Sequence, residues 1–159
     1  MKKYAHEIRW GIYFILMQLI WMAGEKLFGL HNELISEHAK YSMFVMIPSI
    51  ALYVFALLEK RKQLGGYMTY MQGLVSGILV SVVVMILTPF SVWASNTIIS
   101  PDYFENVINY TVSQNIKTRE QAEAYFNLNN YMFEATMFAP MAGLVTSAIV
   151  AAFVKKNPK

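Results

Sequence analysis

The sequence predicts an all-α integral membrane protein: a four-helix bundle with a short helical extracytoplasmic insert between the third and fourth helices. Three observations predict it. Four apolar stretches, about 10–28, 41–58, 70–94 and 131–154, fill more than half of the 159 residues. Each is close to the ~20 residues that cross a hydrocarbon core of about 30 Å at about 1.5 Å per residue. Hydrophobic residues make up 56% of the chain and charged ones only 14%, against ~45–50% and ~25% in a soluble domain, so four such helices could not be covered by polar surface in water. Finally, basic residues gather beside alternate ends of the stretches, the pattern of a chain that crosses repeatedly. The whole chain, 1–159, reads as one membrane domain.

The first stretch carries Gly11, Gln18 and Glu25 at intervals of seven, a repeat that drifts only ~20° per step and so places all three on one face, directed into the bundle. It resembles a secretory signal but lacks a small-x-small cleavage site, and Glu25-Lys26 interrupts the place where one would fall; a retained span is expected. The second stretch ends at Lys60, Arg61 and Lys62. In the third, Gly73, Gly77 and Ser81 recur every four residues, as do Ala135, Ala139, Gly143, Ser147 and Ala151 in the fourth. Such small-residue ridges let helix backbones approach closely in lipid, and these two faces are predicted to meet. Gln72 and Ser76 are expected to make interhelical hydrogen bonds. Pro48, Pro89 and Pro140 fall within stretches and predict kinks, with the Thr136 hydroxyl placed to help satisfy the backbone that Pro140 frees.

The insert, about 100–127, reads as two short amphipathic helices. Ser100-Pro101-Asp102 predicts a start with Ser100 capping and Pro101 in first position, followed by Phe104, Val107, Ile108 and Val112 on one face. Thr118 with Gln121 predicts a second start by capping box, leading into Ala122, Tyr125 and Phe126. The insert can lie on the membrane surface or fold over the bundle, and periodicity does not separate the two.

Nine basic residues, Lys2, Lys3, Arg9, Lys60, Arg61, Lys62, Lys155, Lys156 and Lys159, share one side if the spans alternate. The other side has Lys40, Lys117 and Arg119 beside Glu33, Glu37, Asp102, Glu105, Glu120 and Glu123. Both termini are therefore expected in the cytoplasm. Trp10, Tyr67 and Tyr70 fit the inner headgroup level, and Tyr41, Trp93, Tyr103 and Tyr131 the outer one. The net charge of +3 thus serves topology, and no nucleic-acid partner is expected. With no cysteine, disulfides and thiolate chemistry are excluded.

Glu25 and Lys26 lie about a turn inside the outer end of the first span, and Glu134 about a turn inside the fourth. Charges at such depth are costly and often mark ion paths or ligand sites, so these three, with His31, form the candidate ligand or ion site. The structural alternative is a Glu134 to Lys26 contact that locks two spans while the lysine snorkels. His31 and His38, with Glu33 and Glu37 nearby, offer metal-ligand types, but their spacing matches no standard motif such as His-Glu-x-x-His. They read as solvated loop histidines, and neither a metal nor a cofactor is assigned. There is no phosphate-cradling glycine loop, nucleophile elbow or Ser-His-acid arrangement, so catalysis is not expected.

Glu25-Lys26-Leu27-Phe28-Gly29-Leu30-His31, the Gly65-Gly66-Tyr67 turn, Gln72-Gly73 with Ser76-Gly77, and Ala122-Glu123-Ala124-Tyr125-Phe126 together resemble a bacterial four-span family known as domain of unknown function 4199. The resemblance runs over nearly the whole chain. It implies an inner-membrane location and the same topology, and supplies no activity and no site residues.

The leading expectation is a non-enzymatic structural or accessory component of the inner membrane. Its small-residue faces would pack within or between subunits, as a homo-oligomer or with a membrane-protein partner. The alternative is a carrier of a small ligand, ion or lipid, acting as a homo-oligomer with Glu25, Lys26 and Glu134 beneath a lid made by 101–127. A membrane hydrolase using His31 and His38 comes third.

Overall fold

The apolar stretches become long helices, and the polar residues and glycines between them decide where each helix stops. The computed structural model describes residues 4–157, and these are helical throughout, joined by short turns. Helix α1 is Ala5–Leu27. A 3-10 turn, Ile35–Glu37, leads into α2, His38–Ser42, and a second one, Met43–Val45, into α3, Met46–Gln63. Helix α4, Tyr70–Ala94, continues into a π-helical turn, Ser95–Ile99. Then follow α5, Tyr103–Ser113, α6, Arg119–Tyr125, and α7, Leu128–Val154.

Local chemistry sets these boundaries. Thr69 accepts a hydrogen bond from the Gln72 amide, while Gln72 Oε1 accepts one from the Thr69 amide at 2.8 Å. Gln72 therefore turns back to cap its own helix and does not bridge to another. Thr118 and Gln121 form the same box at the start of α6, and the Asn127 side chain caps α7. Ser100 caps nothing: the π turn carries α4 forward, the Ser100 amide donates to the Ser95 carbonyl at 2.8 Å, and α5 begins only at Tyr103. Having ended one helix, Ser100 cannot open the next. Pro48 is the third residue of α3, where a missing N–H costs least. Pro89 and Pro140 lie inside α4 and α7. The Thr136 hydroxyl is buried without a partner, so it does not serve the backbone freed by Pro140.

Helix α4 stands at the centre of the packing, most extensively against α7, then against α1, and more lightly against α3, which also touches α7. The core joins Ile15, Tyr53, Leu57, Val80, Val84, Val150 and Val154. Close approach of α4 and α7 depends on missing side chains. A Cβ on Gly77 would lie 2.6 Å from Ser147 Cβ, and one on Gly143 would lie 2.8 Å from the Tyr53 hydroxyl and run into Ser81. Ala139 packs at the edge of the same core, with Ala135 half-buried beyond it.

Three helical segments, Ile35–Gln63, Tyr70–Ile99 and Leu128–Val154, are long and apolar enough to cross a membrane. Helix α1 is shorter, at 23 residues, and carries Glu7, Arg9, Glu25 and Lys26 near its ends. Large apolar side chains point outward along the bundle, among them Ile20, Phe55, Ile86 and Phe153, which suits lipid far better than water. The insert lies at one end of the bundle, and the first and last described residues lie at the other, where Met68 and Lys156 exchange backbone hydrogen bonds.

Candidate ligand site at the insert end

The site begins with the way α1 stops. Gly29 adopts φ +77°, a conformation that costs a glycine little. Its amide bonds to the Lys26 carbonyl and the Leu30 amide to the Glu25 carbonyl, closing α1 with a Schellman turn. Leu30 is buried beneath it. The chain doubles back, and His31 arrives beside Glu25. The 3-10 turn that follows then brings His38 to the same place.

Glu25 is 4% exposed and His31 fully buried. One carboxylate oxygen of Glu25, Oε1, accepts hydrogen bonds from Trp21 Nε1 at 2.7 Å and from the Ser42 hydroxyl at 2.5 Å. The other, Oε2, faces His31 Nε2 at 3.5 Å and His38 Nε2 at 3.6 Å. Both distances exceed a hydrogen bond. His31 Nδ1, His31 Nε2 and His38 Nε2 are buried without hydrogen-bond partners, a condition costing about 1–3 kcal/mol per group. Glu25, His31 and His38 each bring one potential metal-ligand atom to within 4.8 Å of the others.

Insert residues close the site. Tyr103 of α5 packs its ring at 5.1 Å from both imidazoles, and its hydroxyl lies 3.4 Å from His38 Nδ1 and 3.3 Å from the Tyr131 hydroxyl. Burial pushes the Tyr103 phenol above its ordinary range, so it stays protonated. Asn106 donates to the His31 carbonyl at 2.9 Å and to Asn32 at 3.0 Å, tying the histidine turn to α5. The first insert helix therefore folds over the bundle end. Beside the cluster an open, almost wholly apolar crevice of about 700 Å³ runs between α1 and the start of α3, bordered by Trp21, Glu25, Leu34, Tyr41 and Phe44.

Two sequence-based expectations are corrected. The histidines are not solvated loop residues, because the Gly29 turn folds them inward. Nor do Lys26 and Glu134 join Glu25: Lys26 donates to the Ile99 carbonyl, and Glu134 is exposed on α7 with Asn130 Nδ2 at 3.5 Å. Equal depth was the argument for grouping them, but α4 stands between α1 and α7, so equal depth brings no contact.

A second polar cluster lies at the terminal end, where Ser76 makes the interhelical hydrogen bond expected of it, to a residue, Glu7, that the sequence did not single out. Glu7 is 2% exposed. Its Oε1 accepts from Lys60 Nζ at 2.7 Å and from the Ser76 hydroxyl at 2.9 Å, joining α1, α3 and α4. Arg9 and Trp10 both donate to Glu59, and Arg61 donates to the Val154 carbonyl at 2.8 Å. Glu7 sits one turn before Gly11, on the same buried face that leads to Glu25, and that spacing was the available signal.

A family model described as a protein of unknown function, DUF4199, matches residues 9–156, and the chain belongs to that family. No curated protein and no solved structure matches it.

Proposed function

We propose that this family member is a four-pass protein of the bacterial inner membrane, both termini cytoplasmic, whose work is to bind a small polar ligand at the outer end of its bundle. The observation that carries the reading is Glu25, a buried carboxylate with one oxygen anchored and the other turned toward two imidazoles that it does not hydrogen-bond. This cluster leaves three buried imidazole nitrogen atoms open around one carboxylate, in a place where an acidic group is already costly.

Helix α1 supports the fourth crossing. It packs along α4, itself apolar enough to span, and its charges sit at its two ends, with an apolar middle between Arg9 and Glu25. The concentration of Lys and Arg at the terminal end supports the orientation. The Gly77 and Gly143 faces pack within the chain, one of the two arrangements the accessory reading allowed, so these ridges call for no second subunit. A carrier built from copies of this binding unit fits the small size of one subunit.

Native mass spectrometry of gently extracted, untagged protein tests the reading, with wild type and Glu25→Gln side by side. A non-protein mass on the wild type that is lost from a folded Glu25→Gln variant is the expected result. Bare protein in both, or the same mass in both, overturns it.

A further inference from the structure

We propose that Glu25, His31 and His38 form a binding site for a divalent first-row transition metal ion. The proposal rests on the ligand-binding reading above and names the ligand class. Its warrant is geometric. Three tetrahedral ligands about 2.0–2.1 Å from a zinc ion stand about 3.3–3.4 Å apart. Glu25 Oε2 lies 3.5 Å from His31 Nε2 and 3.6 Å from His38 Nε2, and the three ligand atoms all lie within 4.8 Å of one another. An ion between them needs only shifts of tenths of an ångström on the carboxylate side and a modest swing of one imidazole.

The second observation is the open nitrogen atoms. His31 is completely buried, and neither its nitrogens nor His38 Nε2 has a hydrogen-bond partner. A metal cation would satisfy a carboxylate oxygen and two imidazole lone pairs together. The surroundings are those of a supported ligand set: Trp21 and Ser42 hold Oε1 and so aim Oε2, while Tyr103 stands at His38 Nδ1 and leaves Nε2 to face the carboxylate. Partners of this kind orient ligands in metal centres. Two neutral imidazoles and one carboxylate give the site a charge of −1, which complements a dication. The mixed nitrogen and oxygen set suits zinc, iron, nickel or copper, and not calcium or magnesium, which take oxygen ligands. Of the three ligand side chains His38 is the most exposed, at 18%. Sequence motifs miss the site because the two histidines are seven residues apart across a turn and a 3-10 segment.

The test uses full-length, untagged protein in detergent, stripped with chelator and then offered ZnCl2 alone. Retained zinc is counted by elemental analysis after desalting, and zinc-edge X-ray absorption reads its ligands. About one zinc per chain, with imidazole scattering, is expected, and retention should fall at least tenfold in Glu25→Gln and in His38→Gln. The absorption spectrum needs no variant, so it decides the matter even if the substitutions unfold the protein. Zinc well below one per chain, or zinc without imidazole ligands, overturns the proposal. If zinc is not held while an organic mass is still lost from Glu25→Gln, the metal assignment fails and the binding reading stands; if neither is held, both fail.

Discussion

Adding one methyl group at Gly143 should destabilise the fold strongly, and at Gly24 it should not. Both glycines are in helices, so alanine gains about 1 kcal/mol of helix propensity at each. At Gly24 the new Cβ meets nothing within 4 Å, and that gain should appear undiminished. At Gly143 the Cβ would run into Ser81 and come within 2.8 Å of the Tyr53 hydroxyl. Those two groups share a buried hydrogen bond of 2.7 Å, so the methyl group must separate them or push α7 away from α4. Overpacking of this kind costs about 1–3 kcal/mol, and a lost buried hydrogen bond adds roughly 0.5–1.5 kcal/mol. Allowing for the propensity gain, Gly143→Ala should lose roughly 0.5–3.5 kcal/mol, equivalent to a fall of about 1–14 °C in melting midpoint at 2–4 °C per kcal/mol. Thermal unfolding in detergent, followed by helical circular dichroism, measures both variants. A Gly143→Ala protein that melts at or above wild type would refute the reasoning, because the α4–α7 contact would then not be limited by backbone approach.

Other consequences are sharp enough to check. Lys60→Met leaves Glu7 as a buried carboxylate with only Ser76 donating; it should cost toward the lower end of the ~3–5 kcal/mol seen when one partner of a buried pair is removed, and adding Glu7→Gln should recover part of that loss in the same unfolding assay. Glu134→Gln alters an exposed group and should change stability by less than about 0.5 kcal/mol while leaving any bound mass in place, in contrast to Glu25→Gln. Thr118→Ala removes the α6 capping box; a cost of about 1 kcal/mol should appear as faster amide exchange within Arg119–Tyr125 and unchanged exchange in α4.

The long helices were legible because hydrophobic runs and period-four small residues are local signals, and the capping box at Thr118 is equally local. The ends were less legible. Capped by Asn127, α7 begins at Leu128, three residues before the apolar run, and the π turn after Ala94, which displaced the start of α5, has no sequence signature. Glu25 could be singled out by its depth in an apolar run, but its partners could not. Lys26 and Glu134 share its depth without sharing its neighbours, whereas His38, Ser42 and Tyr103 come from three segments that only the folded chain brings together. The decisive local clue was Gly29, whose positive φ turns His31 inward; a glycine in sequence announces a turn but not the direction it takes. Glu7 was hidden for the opposite reason, since an acidic residue beside Arg9 at the edge of a span looks like part of a solvated flank until Lys60 and Ser76 are seen to enclose it.

The most direct measurement of the central claim is anomalous scattering at the zinc edge from crystals of untagged protein grown with equimolar ZnCl2. One strong peak per chain is expected, about 2.0–2.2 Å from Glu25 Oε2, His31 Nε2 and His38 Nε2. Absence of a peak there, or zinc found only at surface residues such as Glu33 or Glu37, would contradict it.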